Sequence, residues 1–189
     1  MQEEELVGLA DTHIFGRLKA ATQPDHASLE NKLALTNAPS VAHVTRVLQT
    51  FYGFYAVWEP TLEPWMKQLF GALASSRAKC VHLVADLRFS GIDPARLPLC
   101  PFVPQYDSLA SALGGLYVME GATLGGQVIA RHFSSQFFSG YGPETGPMWR
   151  EFQSTVRNNI LSDQDVEAAV VSACQTFGAF HRWVEECGF

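Results

Sequence analysis

Two short patterns in this sequence contain the residue types that could do chemistry. The first is the pair His26 and Glu30, which are four residues apart and share one face of a helix. A carboxylate at this spacing can hold one imidazole nitrogen, which fixes the tautomer while the other nitrogen ligates a metal. The same spacing also occurs in surface His–Glu pairs, which interact only weakly. The pair alone leaves both interpretations open.

The second pattern is a glycine-rich stretch, residues 114–131, whose flanks are typical of a helix. A glycine inside a helix costs about 0.8–1 kcal/mol relative to alanine, so five of them cost on the order of 4–5 kcal/mol, which something must offset. A helix face without Cβ atoms lets another group approach the backbone closely. Gly121 and Gly125 share one face, with Tyr117 one turn earlier. The five glycines are Gly114, Gly115, Gly121, Gly125 and Gly126.

Three interpretations of the glycines compete: close helix packing, phosphate binding, and a flat ligand lying across the helix. Phosphate binding is disfavoured, because the spacing is not Gly-x-Gly-x-x-Gly after a strand. Taken alone, the stretch favours close packing over a flat ligand.

Helices must position both patterns. Helical periodicity is found in residues 7–21, 41–58, 62–73, 75–89, 108–138 and 148–160, and in a last helix capped by Ser162. Pro24 predicts a kink or a restart just before His26. The alternation typical of strands is missing from the sequence. We predict a single all-α bundle over residues 1–189.

Composition restricts the function classes. The 189 residues are 47% hydrophobic and 17% charged, which is typical of a globular chain. The net charge of −6 disfavours nucleic acid or an anionic membrane as the main partner. The acidic N-terminus predicts no signal peptide, and no apolar run is long enough to span a membrane. The four cysteines lack CxxC spacing, so we expect reduced thiols in the cytoplasm, with Cys100 exposed between prolines.

Together, the two patterns resemble those of the heme oxygenases. Residues 18–30, which contain His26 and Glu30, resemble the proximal helix of that family, and residues 117–128 resemble its glycine-rich distal helix. Residues 51–59 look like its aromatic second helix. The motifs occur in the family's order, and the resemblance covers nearly the whole chain. It is closest to the bacterial, biliverdin-forming branch that is associated with phytochromes.

The resemblance implies a heme between the proximal helix and a kinked distal helix, as both substrate and cofactor. His26 would ligate the iron, with Glu30 holding its other nitrogen. The products would be biliverdin, carbon monoxide and ferrous iron. Dioxygen and an electron donor such as ferredoxin, flavodoxin or an NADPH-dependent reductase would be required, and a bacteriophytochrome is a possible recipient of the biliverdin.

Further site residues follow from the same resemblance. Lys19 matches the basic position that contacts the heme propionates, whereas Gln23 stands where some relatives carry Lys. Tyr117 would bond a propionate or pack, and Phe177 or Phe180 would line the pocket. The remaining candidates are Gly121, Gly125 and Gly126 on the distal helix and the cations Arg150 and Arg157.

One position departs from the family pattern. Many heme oxygenases carry Asp directly after the first distal glycine, where it orders the water that delivers a proton, and Ala122 stands there in this chain. The hydroxyl of Thr123, backbone groups near Gly121 and Gly125, or ordered water would have to serve instead. We expect activity to survive this change.

Alternatives remain at this level. Ala122 is compatible with a heme-binding protein for storage, trafficking or sensing. A thiamin-processing relative would need a placed nucleophilic Cys, for which no motif is evident. A purely structural bundle leaves the glycine cost unexplained. The alternative histidine ligands are His13, His43, His82, His132 and His181. Of these, His132 lies seven residues after Gly125, about 10 Å of helix rise away and outside the iron's reach.

Overall fold

A computed structural model describes residues 2–35 and 39–189, with side chains from Ile14 onward. Within these ranges every regular element is helical, which confirms the predicted all-α class. The helices are α1 (Gln2–Leu33), α2 (Val41–Phe70), α3 (Cys80–Phe89), α4 (Leu109–Ala130), α5 (Gln136–Ser139), α6 (Thr145–Asn159) and α7 (Asp163–Glu186). Short 3₁₀ segments cover Gly71–Arg77, Pro94–Arg96 and Gly142–Glu144.

The first two helices are longer than the sequence pattern predicts. Helix α1 continues through Pro24, and α2 continues through Pro60 and Pro64. No new helix therefore starts at Pro24, and one continuous helix carries His26. Proline removes one backbone donor, and packing of a long helix can compensate for that loss.

The start of α3 is set by a contact from α2. The sequence predicts a helix from Ser75, but residues 71–77 form a 3₁₀ segment and α3 begins at Cys80. The Oε2 atom of Glu59 accepts the backbone N–H groups of Lys79 at 2.6 Å and Cys80 at 2.9 Å. A carboxylate from another helix thus satisfies the free donors at this helix end.

Helix α4 ends earlier than predicted. The periodic pattern extends to Phe138, yet α4 stops at Ala130 and the separate short helix α5 follows. Ser135 caps α5, and Asp86 of α3 accepts the backbone N–H groups of Gln136 at 2.8 Å and Phe137 at 3.0 Å. Local periodicity does not reveal this capping from a distant helix.

Helix α7 packs mainly against α4 and α1 and closes the bundle. Its Trp183 donates from Nε1 to the carbonyl of Thr50 on α2, at 2.8 Å. Ser162 caps it as predicted, in a capping box with Asp165. The buried apolar side chains form one continuous cluster to which all the long helices contribute.

The structure also tests the predicted exposure of Cys100. Cys100 is buried, at 3% exposure, so the predicted exposure was wrong. Its backbone N–H donates to the carbonyl of Gly53 and its thiol to the carbonyl of Phe102, and these bonds hold it against the bundle. The side chain of His13 and the predicted loop residues Asn37 and Ala38 lie outside the described residues. In the described part of the chain, no helix is long and apolar enough to cross a membrane.

Candidate functional site

Between α1 and α4 lies a cavity of about 500 Å³. Its volume is in the range of roughly 300–1,000 Å³ that is typical of ligand sites. Aromatic side chains of α2 and α7 complete its walls, and apolar atoms dominate the lining. The arrangement suits a large, mainly apolar ligand.

His26 and Glu30 are two of the polar residues of α1 that line the cavity. The Nδ1 atom of His26 lies 3.6 Å from Oε2 of Glu30, and both side chains are more than half exposed. The ring of Phe177 stands edge-on to the imidazole, with the ring centroids 6.1 Å apart. The imidazole therefore has a carboxylate and an aromatic ring as neighbours.

On the α4 side, the wall has no side chains at two positions. A Cβ placed on Gly121 or on Gly125 would find no atom within 4 Å, and both residues line the cavity. At these two positions packing does not explain the absence of a side chain. They leave the backbone of α4 accessible to whatever occupies the cavity.

The other three glycines of the stretch serve packing. A Cβ on Gly114 would collide with the carbonyl of Ala169, and one on Gly115 would collide with the ring of Tyr106. A Cβ on Gly126 would lie 2.9 Å from the carbonyl oxygen of Phe138, although this glycine also lines the cavity. Close packing and an open ligand face therefore both occur within this one helix.

Tyr117 and Thr123 also line the cavity from α4. Burial raises the pKa of Tyr117, whose hydroxyl interacts with Thr22. The hydroxyl of Thr123 donates to the carbonyl of Met119 at 3.1 Å. That proton is already used within the helix, which limits Thr123 to accepting a hydrogen bond from a ligand or water.

The predicted cations divide into two groups. Lys19 is exposed and lines the cavity together with Gln23. The structure does not bring Arg150 or Arg157 to the lining. Arg150 is exposed on α6, and the guanidinium of Arg157 lies 6.0 Å from the ring centroid of Phe15.

His26 is the histidine that lines the cavity, among those whose side chains are described. The ring of His43 bonds the carbonyl of Leu33 at 2.7 Å, and that of His181 bonds the hydroxyl of Ser28 at 2.9 Å. His132 is exposed beyond the end of α4, and His82 lies on α3. The described residues contain no group of three or more His, Cys, Asp or Glu side chains that could hold a metal ion.

Sequence reasoning missed a buried charged cluster beside the cavity. Arg77 donates to Glu120 at 2.8 Å and to Glu151 at 2.6 Å, and the hydroxyl of Tyr141 donates to Glu120 at 2.9 Å. Lys79 lines the cavity and is 2% exposed. Because these residues come from separate elements, their spacing in the sequence contained no signal.

One known protein that is similar in sequence and one that is similar in fold are both named heme oxygenase. No family model matches the chain. A heme oxygenase from Xanthomonas campestris pv. campestris (strain 8004) is 30% identical over 146 residues, which span 72% of this chain and 85% of the relative. The fold is similar to that of the heme oxygenase from Neisseria meningitidis in its NO- and CO-bound crystal structures. The TM-score is 0.77 and the identity 19%, with 92% of this chain and 91% of the other covered.

Proposed function

Because this chain belongs to the heme oxygenase family, we propose that it opens heme oxidatively to biliverdin, carbon monoxide and ferrous iron. Dioxygen and electrons from an external donor are the other reactants. Heme is then the substrate as well as the cofactor. The chain's part is to bind and orient it, to exclude water and to supply protons.

The observation that carries this proposal is the bare face of α4 in the cavity that also receives His26. Gly121 and Gly125 leave open space where other residues would place a Cβ. A flat macrocycle can lie close to such a backbone, and the apolar walls suit its edges. One imidazole is enough for a metal that brings four ligands of its own. The residues present therefore fit heme.

His26 would ligate the iron, which supplies the redox chemistry when heme is bound. Glu30, 3.6 Å from Nδ1, would accept that N–H and leave Nε2 for the metal. Phe177 would pack against the ring with its edge-on contact. The three residues together would set the orientation of the ligand.

The propionates of heme need cations at the cavity mouth. Lys19 lines the cavity, is exposed, and lies on the same helix as His26, so it is the cation we assign to this contact. Tyr117 offers a hydroxyl in the same lining. We do not include Arg150 and Arg157 in this role, because neither reaches the lining.

We extend the proposal to the partners. The electron donor would be a ferredoxin, a flavodoxin or an NADPH-dependent reductase, and a bacteriophytochrome would be a possible recipient of biliverdin. The four free cysteines support a reducing compartment such as the cytoplasm.

The test is aerobic turnover of the hemin-loaded protein with ascorbate as reductant. We expect the Soret band to fall while biliverdin absorption appears, with carbon monoxide detectable in the headspace. Heme that stays intact through repeated reduction would overturn the proposal and identify a heme-binding protein without this activity.

A further inference from the structure

The buried amine of Lys79, in the cavity wall, has no role in the proposed function. Lys79 is 2% exposed and is one of the residues that line the cavity. In the described part of the chain, its Nζ atom has no hydrogen-bond partner. It stands over the ring of Tyr141, 3.1 Å from the centroid. Burial of an ammonium without a hydrogen bond is costly, so its position requires an explanation.

The carboxylates near Lys79 are engaged with other donors. Glu59, from α2, accepts the backbone N–H of Lys79 and not its side chain. Glu120, from α4, accepts from Arg77 and from the hydroxyl of Tyr141. Burial is the main cause that lowers the pKa of Lys79, to about 7; Arg77 lowers it further, while Glu120 and Glu59 oppose the shift. The amine can therefore gain and lose a proton near neutral pH.

Several other polar groups that line the cavity have already donated their protons. The hydroxyls of three threonines and the indole N–H of a tryptophan each donate to a protein acceptor. Burial raises the pKa of Tyr55, which makes its hydroxyl a poorer acid. The engaged donors are Thr22 to Leu18, Thr123 to Met119, Thr176 to Ser172 and Trp58 to Tyr106.

We propose that Lys79 is the proton donor to the dioxygen that is reduced in this cavity, an inference that rests on the proposed function. The bond between Nζ and hydrogen breaks as the proton moves to an oxygen atom that has gained electrons from the external donor. The neutral amine then recovers a proton from water that enters the cavity. A donor with a pKa near the working pH is effective in both steps.

The first test uses heme-free protein and needs no turnover. NMR of ¹⁵N-lysine-labelled protein follows each side-chain nitrogen with pH, and spectra of Lys79→Met and Lys67→Met assign two of the signals. Lys67 is exposed and paired with Glu63, so its signal serves as the comparison. We expect Lys79 to titrate near pH 7. Titration of the Lys79 signal only in the alkaline range, near the value of about 10.4 for a lysine in water, would overturn the proposal.

The second test compares Lys79→Met, Lys79→Arg and Lys67→Met after hemin loading. Met has a similar length without the charge, whereas Arg keeps the charge but does not release its proton at neutral pH. We expect both Lys79 variants to bind one equivalent of hemin and to form biliverdin about 100-fold more slowly, which is the contribution typical of a general acid. Lys67→Met should match wild type.

The outcomes separate this inference from the proposed function. Equal turnover in wild type and Lys79→Met would overturn the role of Lys79 alone. Full activity in Lys79→Arg would overturn it too, because a fixed charge would then suffice. Wild-type protein that leaves heme intact would overturn the proposed function, and the role of Lys79 with it.

Discussion

The Nδ1 atom of His26 lies 3.6 Å from Oε2 of Glu30, one turn further along α1, inside the lining of the cavity. If this carboxylate orients the ligating imidazole, Glu30→Gln should weaken hemin binding about 10-fold, the lower end of what loss of such a partner costs. Optical titration measures the affinity. The matched control is Glu63→Gln, which removes an exposed carboxylate at the same spacing from Lys67. Equal affinities of both variants for hemin would contradict this role.

Two glycines of α4 should respond in opposite ways to the same substitution. Gly121→Ala adds a methyl group in open space, so the heme-free protein should gain about 0.8–1 kcal/mol of unfolding free energy from helix propensity. Gly114→Ala forces that methyl group against the carbonyl of Ala169 and should cost about 1–3 kcal/mol. Urea denaturation measures both. A loss of stability in Gly121→Ala would show that this face is packed.

The ion pair between Arg77 and Glu120 is buried on both sides. Glu120→Gln removes the carboxylate that faces Arg77 and Lys79, so we expect it to cost about 3–5 kcal/mol of unfolding free energy. Glu151 contacts the same arginine but its side chain is 45% exposed, and Glu151→Gln should cost less than about 1 kcal/mol. If the denaturation curves of Glu120→Gln and Glu151→Gln coincided, this ranking would be contradicted.

Lys79 should make stability depend on pH in the alkaline range. Burial lowers its pKa in the folded protein to about 7, whereas the unfolded chain has the usual value of about 10.4. Between these two pH values the unfolded state binds more protons, so stability rises with pH. Lys79→Met should remove this slope and gain about 2–4 kcal/mol at pH 7.

The measurement is urea denaturation at intervals from pH 6.5 to 10, with Lys67→Met as the control. Lys67 is exposed, so its substitution should leave both the slope and the stability close to wild type. Curves of stability against pH that run parallel in wild type and Lys79→Met would contradict the prediction.

Much of this architecture could be predicted from the sequence, since apolar residues recur at helical spacing in α2, α6 and α7. The helix ends were harder to predict. Glu59 sets the start of α3, and Asp86 sets the separation of α4 from α5, and both act from another helix. Prolines 24, 60 and 64 indicate breaks locally, yet α1 and α2 continue through them.

The candidate site was predictable in part for a similar reason. His26, Glu30, Gly121 and Gly125 form patterns within single helices, and the structure places all four in one cavity lining. The sequence does not fix the direction of a long side chain, so Arg150 and Arg157 stayed candidates beside Lys19, which the resemblance favoured. Lys79 was not identified because its environment is assembled from α2, α4, the segment before α3 and Tyr141, which lies between α5 and α6.

The central claim, that His26 holds heme so that it can be opened, is tested most directly by hemin titration followed by reduction in air. Wild type, His26→Ala and His132→Ala should be compared, since His132 is exposed and outside the lining. We expect a Soret band that saturates at one equivalent and gives way to biliverdin in wild type and His132→Ala. In His26→Ala the band should shift or weaken and biliverdin should fail to form. Unchanged spectra and biliverdin formation in His26→Ala would contradict the account.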